Sequence, residues 1–196
     1  MDLLSMISGS AQDFKLILDF LPSLLPQFTQ FHNIMAGVSL GGHTAWRMAS
    51  LAAPGQIEGY AIVVGCPNLA ALLLSRLGVD TRAISMDASY DELEKAMTEE
   101  QKRRWPRRLA ELVNSNDRKV ADEFPADVPI LLCNGAVDPL VPAPYTASWV
   151  DSRRQIKGGN TSDRVRFYVQ ENTGHSCTKE MVALIASWLG DIFQAL

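Results

Sequence analysis

Four short apolar runs recur along the chain, separated by segments with the spacing of amphipathic helices. Each run is continuous rather than alternating, which is typical of parallel strands covered on both faces. Helical patterns between the runs, without hairpin signals, predict βαβ units and therefore an α/β fold built on a parallel sheet. The predicted strands are IMAGVS from residue 34, GYAIVVGCP from 59, VPILLCNG from 128 and RVRFYVQE from 164.

The N-terminal segment, residues 10–31, predicts a helix that packs through an apolar stripe. Ser10 or Asp13 is placed to cap it, and Pro22 and Pro26 are expected to kink or divide it. Helical spacing joins its large apolar side chains, which are Phe14, Ile17, Leu18, Leu21 and Leu25.

Residues 68–125 interrupt the alternation of strands and helices, since they are rich in charged helical sequence and contain no strand pattern. We therefore predict a core formed by residues 1–67 and 126–196, with 68–125 inserted as a helical cap or lid over one end of the sheet. Three further helices are predicted in the core, at 41–53, 144–156 and 178–193.

Composition narrows the classes of function. The 196 residues are 47% apolar and 20% charged, and the net charge of -4 gives no attraction to nucleic acid or anionic lipid. Three scattered cysteines, a start without the features of a secretory signal, and no apolar stretch near the roughly 20 residues of a membrane span indicate a cytoplasmic protein. The three histidines lack metal-site spacing, so neither a metal nor a cofactor is expected.

The first candidate for chemistry is the sequence Gly37-Val38-Ser39-Leu40-Gly41, a G-x-S-x-G pattern. Alone it would be read as an ordinary turn. Here it directly follows a predicted strand and directly opens a predicted helix, which is the context of a nucleophile elbow. Small residues at 37 and 41 are expected where strand and helix backbones come close. The backbone N–H of Leu40 is the expected oxyanion donor.

A serine hydroxyl needs a positioned base, and the chain offers three histidines. His32 precedes its strand and lies at the wrong end of the sheet. His43, four residues after Ser39, is expected to be packed or hydrogen-bonded structurally, although it could line the pocket. His175 follows the last strand, at the edge where ligands gather in parallel sheets, and is the predicted base.

The third group must be a carboxylate that orients the imidazole. Asp138 follows the strand that begins at residue 128 and precedes Pro139, a context that also suits a simple turn-capping aspartate. Ser39, Asp138 and His175 each follow an apolar strand. Their order along the chain is the one expected for an α/β-hydrolase rather than for a chymotrypsin or subtilisin type.

The motifs GVSLGGH, NGAVDPLVP and the GH at 174–175 resemble the α/β-hydrolase superfamily, especially its serine esterases, and SGSAQDFKLILDFLP is similar to fungal members. The resemblance covers the chain from about Ser10 onward. It implies that Ser39 is the nucleophile, His175 the base and Asp138 its orienting acid, and that residues 68–125 shape the substrate pocket. The fungal likeness suggests a role in small-molecule or secondary metabolism.

The chain departs from this family before the serine. Family members have about four strands ahead of the nucleophile strand, whereas only 38 residues precede Ser39. We therefore expect an N-terminally truncated sheet without the loop that supplies the second oxyanion donor. The strand ending at Val38 would then present an open apolar edge. A second copy of the chain could cover that edge as a homodimer, or the chain is a fragment.

Weaker features surround these motifs. A basic cluster at Lys102–Arg108 is interpreted as a solvated cap helix in which Glu99 and Glu100 pair with Arg103 and Arg104, with an anionic substrate or carrier protein as the alternative. Cys66 and Cys133 are expected to pack as small apolar side chains. Cys177, near His175, is interpreted as incidental.

Three functions remain open on this reading. The leading hypothesis is hydrolysis of a small-molecule carboxylic ester or thioester through an acyl-enzyme on Ser39. The second is a non-catalytic binding or assembly protein that keeps the three residues as a relic, which the missing strands favour. The third is an acyltransferase that passes the acyl group to an acceptor other than water.

Overall fold

The structure is a computed structural model that describes residues 2–80, 89–155 and 164–194. These ranges contain eight helices and four strands, and every connection between consecutive strands contains at least one helix. In chain order the elements are α1 (Asp2–Leu24), β1 (Ile34–Val38), α2 (Leu40–Met48), β2 (Gly59–Val63), α3 (Leu69–Arg76), α4 (Tyr90–Lys95), α5 (Glu99–Arg104), α6 (Arg107–Glu123), β3 (Ile130–Gly135), α7 (Ala143–Gln155), β4 (Val165–Gln170) and α8 (Lys179–Gln194).

The four strands form one parallel sheet in the order β1-β2-β3-β4. Ala36 pairs with Ala61, Val63 with Cys133, and Gly135 with Gln170. The predicted α/β fold with a parallel sheet and flanking helices is confirmed. Because all four strands run the same way, their carboxyl ends share one edge, and the loops that follow them meet there.

The two central strands are buried along their whole length, as their continuous apolar sequences predict. On one face Leu132 packs in a cluster with Trp46 of α2 and Trp149 of α7, whose rings lie 4.7 Å apart between centroids. On the other face Cys133 packs in a cluster with Trp188 of α8. This double covering fixes the carboxyl ends of β2 and β3, from which the candidate site is built.

The first helix differs from its prediction. It begins at Asp2 rather than at Ser10, and it ends at Leu24 with Pro22 still inside its last turn. Its buried face is set by Ile7 and Ala11. The predicted stripe is therefore partly wrong: Phe14 and Ile17 are exposed, because α1 reaches the core through α2 and not along its whole length.

The other core helices lie close to their predicted positions. Helix α7 begins at Ala143, one residue before the predicted start, and the predicted end at Ile156 lies outside the described residues. Helix α8 matches the predicted segment 178–193 to within one residue at either end. None of the described helices, including the 23-residue α1, is long and apolar enough to cross a membrane.

In the part of segment 68–125 that the structure describes, residues 68–80 and 89–125, four helices are joined by turns and short loops, and there is no strand. Its helices α3 to α6 build a second apolar cluster around Leu72 and Trp105, which also takes in Ile7 of α1. At the far end of α6, however, Phe124 stacks edge-on against Trp46 in the main core. The segment is thus anchored to the core through α6, and its role as a cap stays a prediction.

Strand β1 forms the outer edge of the sheet, because among the described residues it pairs only with β2. The N–H of Ser39 donates to the Val63 carbonyl, and the carbonyl of Asn33 accepts from the N–H of Glu58. The backbone N–H and C=O groups of the odd-numbered residues of β1 therefore face β2. The alternation of a strand then directs those of Ile34, Ala36 and Val38 outward. The Val38 side chain is 46% exposed, as expected for an open apolar edge.

We predict that a second copy of the chain pairs with this edge, and that Ala36→Glu weakens the pairing because two like charges would face each other across the two-fold axis. Light scattering over a range of concentrations should show a dimer for the original chain and a shift toward monomer for the variant. Leu112→Glu, which places the same charge at an exposed apolar position on α6, serves as the control. A monomer at the highest concentration would contradict the prediction.

Candidate active site

The turn between β1 and α2 holds Ser39 in a strained conformation. Ser39 has φ 53° and ψ -112°, and its backbone is fixed on both sides: its N–H donates to the Val63 carbonyl at 2.9 Å and its carbonyl accepts from His43 N–H at 3.0 Å. A positive φ is rare for a residue other than glycine and persists only where the surrounding structure enforces it. The turn therefore has the strand–turn–helix form predicted for a nucleophile elbow.

Close backbone contacts explain one of the two glycines that flank the serine. A Cβ at Gly37 would lie 2.1 Å from the carbonyl oxygen of Gly41, so residue 37 must be glycine for the turn to close. The same reason predicted for Gly41 is wrong, because a Cβ there would meet nothing within 4 Å. The backbone of Gly41 makes the contact, and its side-chain position faces open space.

A second contact of this kind was not predicted from the sequence. A Cβ at Gly65, just after β2, would lie 2.8 Å from the carbonyl carbon of Gly42. Val64 beside it has φ 44°, an unusual conformation for a β-branched residue. The elbow thus rests directly on the end of β2. The sequence offers one sign of this contact: two consecutive glycines lie near the start of α2, and another glycine ends the next apolar run.

Asp138 lies in the loop after β3 with its side chain fully buried. One carboxylate oxygen, Oδ1, accepts hydrogen bonds from the N–H groups of Leu140 at 2.8 Å and Val141 at 3.0 Å. The other, Oδ2, lies 2.8 Å from Nδ1 of His175. The carboxylate therefore caps its own turn and also contacts the histidine, and its role as the orienting acid stays a prediction.

His175 connects the aspartate to the serine. Its Nδ1 faces Asp138, and its Nε2 lies 2.7 Å from Oγ of Ser39. A carboxylate can only accept a hydrogen bond, so Nδ1–H is the donor and Nε2 is left as the acceptor for the serine hydroxyl. The structure brings together the three residues predicted from the sequence in a single hydrogen-bonded chain, arranged as in a serine hydrolase triad.

The loop that carries His175 is pressed against the end of β3. Val137 donates its N–H to the Thr173 carbonyl at 3.0 Å. A Cβ at Gly135 would lie 2.3 Å from that same oxygen and 2.4 Å from the Gly174 carbonyl oxygen. The spacing between the aspartate loop and the histidine loop therefore depends on the absence of a side chain at Gly135.

The other two histidines take no part in this chain. His32 lies at the opposite end of β1, exposed, with Nδ1 2.9 Å from a Glu58 carboxylate oxygen. His43 is buried in α2, where Nδ1 lies 3.2 Å from the Cys66 carbonyl oxygen, in line with the structural role expected for it. Burial lowers the pKa of His43 to about 4, against the opposing effect of that hydrogen bond.

His43 should make the protein sensitive to acid. Its pKa is about 4 when folded, against 6.5 for an ordinary imidazole, so the unfolded chain binds the extra proton first as the pH falls. Stability contributed by the neutral ring is complete above about pH 6.5 and is lost toward about pH 4, by about 3 kcal/mol. Urea unfolding should show this extra loss in the original chain and its absence in His43→Gln. Equal losses in the two proteins would contradict the assignment.

Leu40 is the first residue of α2, so its N–H is among the donors that have no acceptor within the helix. The helix dipole places partial positive charge at the same point. Its role as an oxyanion donor stays a prediction.

The three cysteines are free: Cys66 and Cys133 are buried, as expected, and burial raises the pKa of both thiols to about 12, while Cys177 is exposed.

The ion pairs predicted in the basic cluster are wrong. Glu99 pairs with Lys102 at 2.8 Å, and among the described residues neither Arg103 nor Arg104 has an ion pair. Glu99 instead contacts the cation three residues ahead of it in the same helix, α5. Of the other cations in the cluster, Arg107 pairs with Asp91.

No protein-family model matches the chain. No curated protein matches it either. Its fold, in contrast, is shared with many solved structures. Three of them are SOBER1 of Arabidopsis thaliana (15% identity, 95% of this chain, TM-score 0.55), a monoacylglycerol lipase of Paleococcus ferrophilus (17%, 95%, 0.55) and an alpha-beta serine hydrolase homologue of Coxiella burnetii (14%, 93%, 0.50).

These similarities show that the chain has the α/β-hydrolase fold. The chain spans 64% of the length of SOBER1, 76% of the lipase and 58% of the Coxiella protein, so each of those structures contains parts with no counterpart here. At identities between 14% and 17% the likeness concerns the fold and not the activity. The chemistry of this chain has to be argued from its own site.

Proposed function

We propose that this chain is a serine hydrolase that cleaves a carboxylic ester or thioester through an acyl-enzyme on Ser39. One observation carries the proposal: Ser39, held in a strained turn at a helix start, is joined to His175 at 2.7 Å and through it to Asp138 at 2.8 Å. These are the distances required for a nucleophile, its base and the group that orients the base.

The reaction proceeds in two halves. Oγ of Ser39 attacks the carbonyl carbon while Nε2 of His175 takes the hydroxyl proton, and the negative charge of Asp138 stabilises the imidazolium. Collapse of the tetrahedral intermediate expels the alcohol or thiol, which receives its proton from Nε2 and leaves the acyl group on Ser39. Water then attacks the acyl carbon with His175 as base, which releases the carboxylic acid and restores the serine.

Negative charge on the carbonyl oxygen would be stabilised by the N–H of Leu40 and by the dipole of α2. A second donor is common in this fold and is worth about 100- to 1,000-fold in rate. We assign no residue to that role. A group from segment 68–125 or from a second copy of the chain could supply it.

Exposed apolar side chains flank the triad aspartate in the sequence, and they suit an ester with a hydrophobic portion. Val137 and Leu140, on either side of Asp138, are 63% and 50% exposed, although side chains of this kind are usually buried. Leu40 is partly buried against the cluster formed by α3 to α6. We propose that these surfaces bind the apolar part of the substrate, and that segment 68–125 acts as the cap that shapes the pocket.

Two of the similar proteins carry names that agree with this proposal. One is a monoacylglycerol lipase and another is named esterase PE8 (14% identity, TM-score 0.51). Their names concern those proteins, which are 17% and 14% identical to this chain. They support the choice of an ester over other bonds that a serine nucleophile can attack.

Labelling with a fluorophosphonate tests the proposal directly, because the reagent reacts with a serine activated by a base. Peptide mass spectrometry should find the label on Ser39 of the original chain and none on Ser39→Ala. Ser152→Ala, which removes an exposed hydroxyl from α7, should label normally. A folded chain that fails to label would favour the non-catalytic binding protein instead. A labelled chain that forms new esters with an added alcohol faster than it hydrolyses them would favour an acyltransferase.

A further inference from the structure

Arg76 links the helical segment to the loop that carries the triad aspartate. It is the last residue of α3, and its exposed guanidinium donates from Nη2 to the carbonyl oxygen of Leu140 at 2.9 Å. The N–H of the same Leu140 donates to Oδ1 of Asp138 at 2.8 Å. A single residue, Leu140, therefore connects the arginine to the triad aspartate, at the rim of the site.

The charge of Arg76 is not neutralised within the part of the chain that the structure describes. Arg107 pairs with Asp91 and Arg166 pairs with Asp191, but no described carboxylate lies within 4.0 Å of the Arg76 guanidinium. Its acceptor is a neutral carbonyl, and a guanidinium carries five N–H donors in a planar fork. Within the described residues, the donors that do not contact Leu140 are available to bind an anion.

The positive charge of Arg76 also reaches the interior of the site. His43 lies one helical turn after Ser39, and its pKa is lowered first by burial and further by the charges of Arg76 and His175. The hydrogen bonds from Arg76 to Leu140 and from Leu140 to Asp138 also place the guanidinium beside the triad loop, so one substrate could contact both Arg76 and the nucleophile.

We propose that Arg76 is a specificity-determining residue that recognises a carboxylate or phosphate group of the substrate, so that the preferred ester or thioester is anionic. The proposal rests on the hydrolase activity of Ser39. The apolar side chains of Val137 and Leu140 would receive the carbon skeleton, and the guanidinium fork would bind the charged end. The substrate class is thus an amphipathic ester with one anionic terminus.

Two pairs of probes that differ by a single charge test this recognition. The first pair is the 4-nitrophenyl monoester of adipic acid and its methyl-capped diester, with the charge on the acyl side. The second pair is the hexanoyl ester of 4-hydroxybenzoate and that of methyl 4-hydroxybenzoate, with the charge on the leaving group. For each pair the ratio of kcat/KM, anionic over neutral, is measured for the original chain, Arg76→Gln, Arg76→Lys and the control Arg107→Gln.

In at least one pair Arg76→Gln should lower the ratio by about 10-fold or more, the size expected for a lost hydrogen bond to a charged group. Arg76→Lys should retain part of it, and Arg107→Gln should leave it unchanged, because that charge is already paired with Asp91. The responding pair locates the anion on the acyl or leaving-group side. A ratio that Arg76→Gln leaves unchanged in both pairs overturns the proposal.

Binding to Ser39→Ala separates this proposal from the hydrolase activity on which it rests. Calorimetry with the adipate monoester and with the 4-hydroxybenzoate ester measures recognition without turnover. A dissociation constant for the anionic member that rises about 10-fold on adding Arg76→Gln supports the role of Arg76 even if the original chain proves inactive. Equal binding with and without Arg76 overturns it even if the original chain proves to be an active hydrolase.

Discussion

Asp138→Asn should lower kcat for ester hydrolysis by about 10,000-fold while leaving the fold in place. The asparagine can still accept the turn hydrogen bonds from Leu140 and Val141, which now go to Oδ1. Its amide nitrogen would then face Nδ1 of His175, where a carboxylate oxygen lies at 2.8 Å. An amide N–H forces Nδ1 to become the acceptor, so the ring proton moves to Nε2. The base then cannot take the proton of Ser39.

Steady-state kinetics with a neutral aryl ester measure this loss, with circular dichroism to check the fold. Asp122→Asn is the matched control, since it removes an exposed carboxylate from α6 without touching the site. KM should change little in either variant, because the aspartate acts on the base and not on the substrate. A loss below about 10-fold for Asp138→Asn would mean that the carboxylate only caps its turn, and the orienting role would have to be abandoned.

The positions of the site residues followed from the sequence because a parallel sheet has only one edge at which strands end. Ser39, Asp138 and His175 each follow an apolar run within a few residues, and that is enough to bring them to the same edge. The elbow around Ser39 was predictable for the same reason, since strand, turn and helix follow one another without a gap. No knowledge of side-chain contacts was needed for either step.

Contacts between distant backbones were not predictable in this way. The sequence contains Gly65, but nothing in it shows that the backbone of Gly42 lies against it. The hydrogen bond from Arg76 to the Leu140 carbonyl joins residues 64 positions apart in the chain, and it depends on how segment 68–125 packs against the sheet. The exposed positions of α1 were missed similarly, because an apolar stripe shows that a helix is amphipathic without showing how far its partner extends.

Gly135→Ala should lower kcat by about 100-fold through a shift of the histidine loop. The new Cβ would lie 2.3 Å from the Thr173 carbonyl oxygen and 2.4 Å from that of Gly174, both of them backbone atoms that cannot rotate away. Relief of this clash requires the histidine loop to move by about 1 Å. A displacement of that size at a catalytic group can lower the rate by about 100-fold. His175 follows directly in the chain, so its contact with Ser39, now 2.7 Å, would change.

Gly174→Ala provides the matched control, because it adds the same methyl group to the same pair of loops at a position with nothing within 4 Å. That variant should keep near-normal kcat and normal fluorophosphonate labelling. Gly135→Ala should label slowly even under conditions in which the variant is fully folded. If both variants lose activity equally, the histidine loop tolerates no added volume anywhere. If neither does, the loop moves without disturbing His175, and the rigid spacing between β3 and this loop cannot be what holds the base in place.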